Sequence, residues 1–128
     1  MIMEASALKG LDVKKIAISI CDRTNGIGAD GLLILDKSKR ADFKMRIINA
    51  DGSEAEMCGN GSRCLIEYIA RHKAFKSETI SLETLAGTVL GEVQKQAVRV
   101  RLSDPVDYAP NIGIMVNGRK LKVDYIDT

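Results

Sequence analysis

The sequence is poor in aromatic residues and in the cysteine pairs that cross-link small secreted proteins. It has no tryptophan, and aromatic residues make up 4% of its 128 positions, so we expect no stacking platform for single-stranded nucleic acid. Its three cysteines, Cys21, Cys58 and Cys64, form an odd set without Cys-x-x-Cys spacing. That count fits neither a disulfide scaffold nor a zinc site. We therefore expect no bound metal and a reducing, cytoplasmic compartment.

Excess charge and long apolar runs are also missing. Nineteen Lys and Arg residues stand against 17 Asp and Glu, a net charge of +2, which argues against nucleic acid or an anionic membrane as partners. No apolar run approaches the ~18 residues of a membrane span, and residues 1–6 lack the basic start of a targeting signal. With 45% hydrophobic and 28% charged residues, the composition predicts a globular protein with one domain, residues 1–128.

The first half of the chain shows two helical patterns and two strand patterns. Asp12 is a candidate N-cap for a helix that ends near Asn25-Gly26. Residues 31–36 form a short apolar run, typical of a strand buried on both faces, and residues 43–47 alternate as a half-buried strand. A second helix is predicted over 62–73, with one apolar stripe: Cys64, Leu65, Tyr68, Ile69 and His72.

The second half of the chain is predicted to be mostly β. Residues 79–84, 88–93 and 97–103 have strand patterns, and in the last of these Arg99 and Arg101 form the polar face. Asn117-Gly118 separates two alternating runs and favours a two-residue hairpin turn. These patterns predict an α+β protein with two helices and about seven strands.

A glycine motif at residues 26–31, Gly-Ile-Gly-Ala-Asp-Gly, matches the dinucleotide-binding pattern G-x-G-x-x-G letter for letter. That pattern requires a strand before it and a helix after it, so that a pyrophosphate meets the helix N-terminus. Here the predicted helix comes first and the strand follows. We therefore interpret these glycines as a tight helix-to-strand connection.

The segment that points to chemistry is residues 49–64. Cys58 stands directly before Gly59-Asn60-Gly61, which opens the second helix. Free backbone N–H groups at a helix start bind anions, and the helix dipole favours the thiolate form of a cysteine at that place. Cys58 is thus a candidate base or nucleophile beside a bound carboxylate or phosphate. The alternative is a small buried residue at a tight turn, which is also our interpretation of Cys21 and Cys64 as core residues.

Other polar residues near this segment are interpreted as structural. Arg63 is expected to be a solvated or ion-paired surface residue, since the helix dipole disfavours a cation in the first turn. Glu54 and Glu56 are expected on a surface turn rather than in an acid–base pair. His72 falls in the last turn of its helix, where a cation is favoured.

Three segments together point to a known family: Asn-Ala-Asp-Gly-Ser at 49–53, Cys-Gly-Asn-Gly-Ser-Arg-Cys at 58–64, and Gly-Ile-Gly-Ala-Asp-Gly-Leu-Leu at 26–33. In these segments the chain resembles the diaminopimelate epimerase family, specifically its N-terminal lobe. The resemblance runs from about residue 11 to 128. It implies a mixed, largely antiparallel β-sheet curled around a central helix, one lobe of a two-lobe fold. On this basis residues 1–128 are expected to be the N-terminal lobe, with the C-terminal lobe absent from the sequence.

The resemblance implies epimerisation of diaminopimelate from the LL to the meso form, in lysine and peptidoglycan precursor biosynthesis. Such enzymes use two cysteines on opposite faces of the α-carbon and no cofactor. Cys58 matches the N-terminal catalytic cysteine, Asn49 matches a substrate-binding asparagine, and Gly59 and Asn60 match residues whose amides hold the α-carboxylate. The second cysteine would lie in the missing lobe, so the isolated chain is expected to be feeble or inactive. A homodimer is compatible with this interpretation.

The sequence departs from the family pattern, and alternatives remain open. The family opens with a strand and a Gly-Asn-Asp-Phe segment, and we find nothing like it before Leu11. Gly31 stands where some members carry a glutamine that reaches the substrate. One alternative is a racemase or isomerase of the same fold that acts on another amino acid. The other is a non-catalytic module that binds carboxylates.

Overall fold

The computed structural model describes residues 1–73, 75, 77–95, 97–102 and 104–127. Its helices are α1 (Val13–Cys21) and α2 (Gly59–His72), and a 3-10 turn spans Ala5–Leu8. Its strands are β1 (Ile2–Glu4), β2 (Gly31–Asp36), β3 (Phe43–Asn49), β4 (Glu54–Ala55), β5 (Thr79–Thr84), β6 (Gly87–Gln94), β7 (Ala97–Arg101), β8 (Val106–Val116) and β9 (Arg119–Asp127). Of the predicted strand 97–103, Ser103 lies outside the described residues, as does Thr128 at the end of the predicted domain.

Most strands form one mixed sheet in the order β1-β2-β3-β5-β6-β7, with β4 paired to β3. The pairs β1–β2 and β3–β5 are parallel, whereas the other neighbours are antiparallel. Helix α2 contacts β2 and β3 as well as β6 and β7, so the sheet curls around it. This arrangement confirms the predicted α+β class with a mixed sheet around a central helix.

The strand β1 corrects one expectation, because the sequence showed no strand before Leu11. Ile2 pairs with Leu33 and Glu4 with Leu35, parallel to β2. Three residues are too few to display an alternating pattern, so only tertiary pairing identifies this strand. The two-residue strand β4 was missed for the same reason.

Strand β2 is the centre of the core, and it is buried on both faces as predicted. Leu33 and Leu35 pack with the α2 side, in a cluster that includes Leu65, Ile66 and Ile69 of the helix. On the opposite face lies a second cluster of buried residues from β2, β3, α1 and the 3-10 turn: Leu8, Ala17, Leu32, Ile34 and Ile48. The two helices therefore cover opposite faces of the same strand.

Helix α1 begins at its predicted cap. The Asp12 carboxylate accepts hydrogen bonds from the amides of Lys14 (3.1 Å) and Lys15 (3.2 Å). The helix ends at Cys21, before the predicted stop at Asn25-Gly26. It ends there because the Asp22 carboxylate accepts hydrogen bonds from the amides of Thr24 (2.7 Å) and Asn25 (2.8 Å). These bonds compete with further helical hydrogen bonding. Cys21 is buried, as predicted.

Helix α2 differs from the prediction at its start and on its buried face. It begins at Gly59 rather than at residue 62, with Cys58 as its N-cap. Cys64, predicted to belong to the core, is exposed. The face that packs on the sheet instead consists of two small residues followed by three apolar ones: Gly61, Ser62, Leu65, Ile66 and Ile69. His72 lies in the last turn as predicted, with its ring 4.8 Å from that of Tyr68.

Strands β8 and β9 form a separate two-stranded sheet. Asn117 and Gly118 connect them with φ angles of 50° and 75°, the left-handed pair that a two-residue hairpin turn requires. This confirms the predicted turn. Unlike the residues of the main sheet, most residues of this hairpin are exposed.

Candidate active site

A cavity of about 590 Å³ lies beside the start of α2. Its wall includes three of the four residues singled out as site candidates, Asn49, Cys58 and Asn60. The fourth, Gly59, lies between two of them in the chain. The structure therefore brings the predicted site residues together, from the end of β3 and the start of α2.

Cys58 is held firmly at the N-cap of α2. Its backbone is extended, with φ −148° and ψ 111°, and its Sγ accepts a hydrogen bond from the Gly61 amide at 3.3 Å. Its carbonyl oxygen accepts from both the amide (2.8 Å) and the hydroxyl (3.0 Å) of Ser62, which is fully buried. Both ends of the residue are fixed, so the thiol keeps one position in the cavity wall.

Gly61 is needed for this geometry on steric grounds. A Cβ at this position would lie 2.9 Å from Cδ2 of Leu33 and 3.5 Å from Sγ of Cys58. The first distance is shorter than carbon atoms tolerate, so any side chain would displace Leu33 of the core. The absence of a side chain lets the helix start approach β2 and lets the amide meet the thiol.

The start of α2 carries a positive electrostatic field that nothing in its first turn offsets. No acidic residue lies in that turn, and Arg71 and His72 lie in the last turn. At this helix start, the Gly61 amide bonds to the Cys58 thiol, and the Ser62 amide makes the first regular helical hydrogen bond, to the Cys58 carbonyl. Within the described part of the chain, the amides of Gly59 and Asn60 donate to no acceptor. Two N–H groups and the helix dipole are thus available to an anion.

Asn49 is positioned by a tight turn that follows β3. Its Nδ2 donates to the Ser53 hydroxyl at 2.9 Å, and that hydroxyl donates to Asp51 at 2.6 Å. Gly52 closes the turn with φ 83°, and its amide donates to the Asn49 carbonyl at 2.9 Å. The two hydrogen bonds from Ser53 lower the pKa of Asp51, which keeps it charged as an acceptor. The turn fixes the direction of the Asn49 amide.

The glycine motif forms another wall of the same cavity. The connection 22–30 joins α1 to β2, as predicted, and Arg23, Gly28 and Asp30 all line the cavity. Arg23 donates to the Asp30 carboxylate at 2.5 Å. Gly28 has φ +82°, a backbone conformation in which any other side chain would be strained. The motif shapes a loop around the cavity rather than cradling a pyrophosphate.

Gly31 joins the two walls. It pairs with Asn49 at the end of the β2–β3 ladder, and it also lines the cavity. A Cβ on Gly31 would lie 2.9 Å from the carbonyl oxygen of Ile48, so the present backbone leaves no room for a glutamine there. The contact that the resemblance assigns to that position cannot come from this residue.

Of the polar residues interpreted as structural, Glu54 lies in strand β4 rather than on the expected turn, because it pairs with Ile48 of β3. Glu54 accepts two hydrogen bonds from Arg46, at 2.7 and 3.0 Å, which lower its pKa, and Glu56 is exposed. Arg63 is an exposed surface residue, and it donates to the Asn60 side chain at 3.0 Å. Sequence reasoning missed Arg23, Asp30 and Cys64 as cavity-lining residues. The signal for Asp30 was the motif itself, once the Gly31–Asn49 pairing is known.

Two further findings concern the described residues alone. They contain no group of three or more His, Cys, Asp or Glu side chains placed to hold a metal ion. None of their helices has the length and apolar character needed to cross a membrane.

Comparison with known families gives a match across most of the chain. A sequence model described as "Diaminopimelate epimerase" matches residues 5–106. The match begins well before Leu11, where the sequence pattern alone showed no resemblance, and it includes every cavity-lining residue except Met1.

Curated relatives named "Diaminopimelate epimerase" share up to about half of their length with this chain. The relative from Caldanaerobacter subterraneus subsp. tengcongensis is 42% identical over 119 residues, which cover 89% of this chain and 43% of the relative. The relative from Halothermothrix orenii is 33% identical over 147 residues, covering 98% of this chain and 52% of the relative. The chain thus spans about half the length of the relatives it matches.

Solved structures with the same fold are more distant in sequence. A phenazine biosynthesis protein of the PhzF family from Bacillus anthracis superposes with a TM-score of 0.67 at 21% identity, covering 88% of this chain and 37% of that one. A probable proline racemase from Agrobacterium radiobacter superposes with a TM-score of 0.66 at 18% identity, covering 88% and 36%. At these identities the likeness concerns the fold.

Proposed function

Because the chain belongs to the diaminopimelate epimerase family, we propose that it is one lobe of a cofactor-independent isomerase that converts LL- to meso-diaminopimelate. In this proposal residues 1–128 are the N-terminal lobe, and the reaction serves lysine and peptidoglycan precursor biosynthesis in the cytoplasm. The observation that carries the proposal is the Cys58 thiol at the N-cap of α2, beside two amides for which the described residues provide no hydrogen-bond acceptor.

The first proposed step is proton transfer from the substrate α-carbon to Cys58. The thiolate takes the α-proton, and the electron pair of the broken C–H bond is delocalised into the α-carboxylate. This charge requires stabilisation, because an ordinary amino-acid α-proton is very weakly acidic. The amides of Gly59 and Asn60, with the dipole of α2 behind them, would provide it once a second lobe closes the site to water.

Asn49 is proposed to orient the substrate in this site. Its side-chain amide is held by Ser53 and lines the cavity with Cys58. An amide presents a donor and an acceptor together, which suits an amino-acid ligand with both ammonium and carboxylate groups. Because the turn already fixes the Asn49 side chain, substrate binding loses less conformational entropy.

Inversion needs a second acid on the far face of the α-carbon. The proposal assigns that acid to a cysteine in a second lobe, consistent with relatives about twice as long as this chain. With Cys58 alone, the proton that is removed can return only to the face it left. We therefore expect this chain to exchange the α-proton slowly with solvent while retaining configuration, and to be a feeble epimerase at most.

The test is incorporation of deuterium at the α-carbon of LL-diaminopimelate in heavy water, measured by mass spectrometry with chiral separation. We expect slow incorporation without inversion by the unmodified chain and none by Cys58→Ser. Cys64→Ser is the matched control, since Cys64 is exposed on the same helix and lines the same cavity, and it should exchange at the unmodified rate. Equal exchange by Cys58→Ser and the unmodified chain would refute the role of Cys58.

A second candidate is a racemase or epimerase of the same fold with another amino-acid substrate. Solved structures that share the fold include the probable proline racemase and a hydroxyproline epimerase from Agrobacterium vitis, the latter with a TM-score of 0.61. The same exchange assay with L-proline and trans-4-hydroxy-L-proline separates the candidates. A chain that binds these amino acids yet exchanges none of them would be a carboxylate-binding module.

A further inference from the structure

Leu102 is an apolar residue that, among the described residues, belongs to neither core cluster. It is 40% exposed and directly follows β7. In that strand Val98 and Val100 pack against the α2 cluster, whereas the alternate positions are exposed. Because side chains alternate along a strand, position 102 faces α2 again. Leu102 therefore reaches the helix just beyond the end of the strand.

The part of α2 that Leu102 meets is its first residue, Gly59. A Cβ on Gly59 would lie 3.4 Å from Cδ2 and 3.7 Å from Cδ1 of Leu102. Chain neighbours aside, no other described side chain lies within 4 Å of that point. These are ordinary van der Waals distances, so Leu102 covers this side of the helix start without straining it.

The helix start lies between two cavities. Cys58 and Asn60 line the first, which is the candidate active site. The second has a volume of about 280 Å³, and its wall includes Leu102 together with Arg101 and Asp104. Because Leu102 lines the second cavity and meets Gly59, it separates that charged cavity from the start of α2.

An apolar cover at this point strengthens the attraction of the helix start for an anion. The amides of Gly59 and Asn60 donate to no acceptor among the described residues, so water competes with a ligand for them. The attraction between an amide and an anion grows when water is excluded, because the local dielectric constant falls. A leucine side chain excludes water and brings no acceptor of its own to the Gly59 amide.

We propose that Leu102 is a positioning residue of the Cys58 site, which keeps water from one side of the helix start so that its two amides bind a carboxylate more tightly. This inference rests on the proposed function, in which those amides hold the substrate α-carboxylate. Leu102 acts through Gly59 and takes no part in proton transfer.

The test compares two reagents that alkylate the same thiol, iodoacetate and iodoacetamide, on the full 128-residue chain. In both reactions the thiolate displaces iodide, but only iodoacetate carries a carboxylate. Peptide mass spectrometry gives the rate at each cysteine, and the ratio of the iodoacetate rate to the iodoacetamide rate measures how strongly that site attracts a carboxylate. The fraction of thiolate cancels in this ratio. At Cys58 we expect a ratio about threefold or more above that of the exposed Cys64, because a helix start favours anions.

Substitutions of Leu102 should change the ratio at Cys58 according to their polarity. Leu102→Asn should lower it to about the value at Cys64, because the new carbonyl oxygen competes for the Gly59 amide. Leu102→Ala should give an intermediate ratio, since it admits water without adding a polar group. Leu102→Met should retain the ratio of the unmodified chain.

Leu90→Asn is the matched control. Leu90 is 42% exposed and lines the same 280 Å³ cavity, but it does not meet Gly59, so this variant should keep the ratio at Cys58. Circular dichroism checks that each variant is folded, and Leu102→Ala carries the test if Leu102→Asn does not fold.

Three results would each overturn the role of Leu102. They are a ratio at Cys58 no higher than at Cys64 in the unmodified chain, an unchanged ratio in both Leu102→Asn and Leu102→Ala, and an equal loss in Leu90→Asn. The measurement uses no amino-acid substrate. A chain that prefers iodoacetate at Cys58 but exchanges no α-proton would therefore contradict the proposed epimerisation and leave the role of Leu102 in place.

Discussion

The two helices begin in different ways, and the contrast separates stability from chemistry. At α1, the Asp12 carboxylate satisfies two amides at 3.1 and 3.2 Å. At α2, the Cys58 thiol accepts one hydrogen bond, at 3.3 Å, and sulfur is a weaker acceptor than a carboxylate. The amides of Gly59 and Asn60 remain available. A strong cap closes a helix start, whereas a weak one leaves room for a ligand to complete it.

The largest effect on α-deuterium exchange is expected when the start of α2 is given a carboxylate cap like that of α1. In Cys58→Asp, we expect a well-capped α2, unchanged or higher thermal stability, and loss of α-deuterium exchange by at least about 100-fold, the usual weight of a positioned acid–base group. The substitution removes the thiol, and the new carboxylate repels the carboxylate of the substrate. Exchange assays and thermal unfolding by circular dichroism measure both effects. Retained exchange would show that the weak cap is not what permits chemistry.

A smaller effect is expected from a side chain placed at Gly61, where α2 lies close to β2. Alanine normally stabilises a helix relative to glycine by about 0.5–1 kcal/mol. In Gly61→Ala, we expect the opposite sign, a loss of about 1–3 kcal/mol, because the new Cβ meets Leu33. The exchange rate should fall as well, since a shift of α2 away from Leu33 also moves the Cys58 thiol at its start. Urea unfolding gives the stability change.

Gly113→Ala is the control for that substitution. Its Cβ would meet the flexible end of Lys120, 3.3 Å away, and that side chain can move. A stable, fully exchanging Gly61→Ala protein would mean that the contact with Leu33 relaxes without consequence.

The smallest effect is expected at the start of α1. Asp12→Ala should lower the free energy of unfolding by about 1 kcal/mol, as is typical for loss of an N-cap, without changing α-deuterium exchange. Asp12→Ser should recover most of that stability, because serine also caps. If Asp12→Ala slowed exchange, the two helix starts would not be independent, and the comparison between them would fail.

Local patterns predicted the parts of the fold that local forces determine. The Asp12 cap, the doubly buried β2 and the Asn117-Gly118 turn each depend on a few neighbouring residues. The candidate role of Cys58 rests on similar grounds, since a helix start is a local feature. Residues Ile2–Glu4, in contrast, are a strand because they pair with β2, which no local pattern contains.

The exposure of Cys64 shows why the buried face of α2 was misjudged. The predicted stripe, which contains Cys64 and Leu65, has the spacing of one helix face. The observed buried face, which contains Leu65 and Ile66, has that spacing as well. The sheet selects the second, because Gly61 and Ser62 allow the helix to approach closely on that side. Small residues favour burial of a helix face because they let the helix lie closer to the sheet. Hydrophobic periodicity does not detect this effect.

The walls of the cavity depend equally on pairing across the chain. Arg23 and Asp30 reach the site because Gly31 pairs with Asn49, and strand register cannot be read from either segment alone. The glycine motif therefore indicated a tight connection without indicating what it surrounds.

That final pair of the β2–β3 ladder also has a mechanical consequence. Gly31 ends the connection that carries Arg23 and Asp30, and Asn49 begins the turn that ends at Ser53. The connection 22–30 and the turn 49–53 are therefore joined through the Gly31–Asn49 backbone pair, so a movement of one is transmitted to the other. We therefore expect a ligand that immobilises Asn49 to restrict the connection 22–30 as well, because Gly31 pairs directly with Asn49.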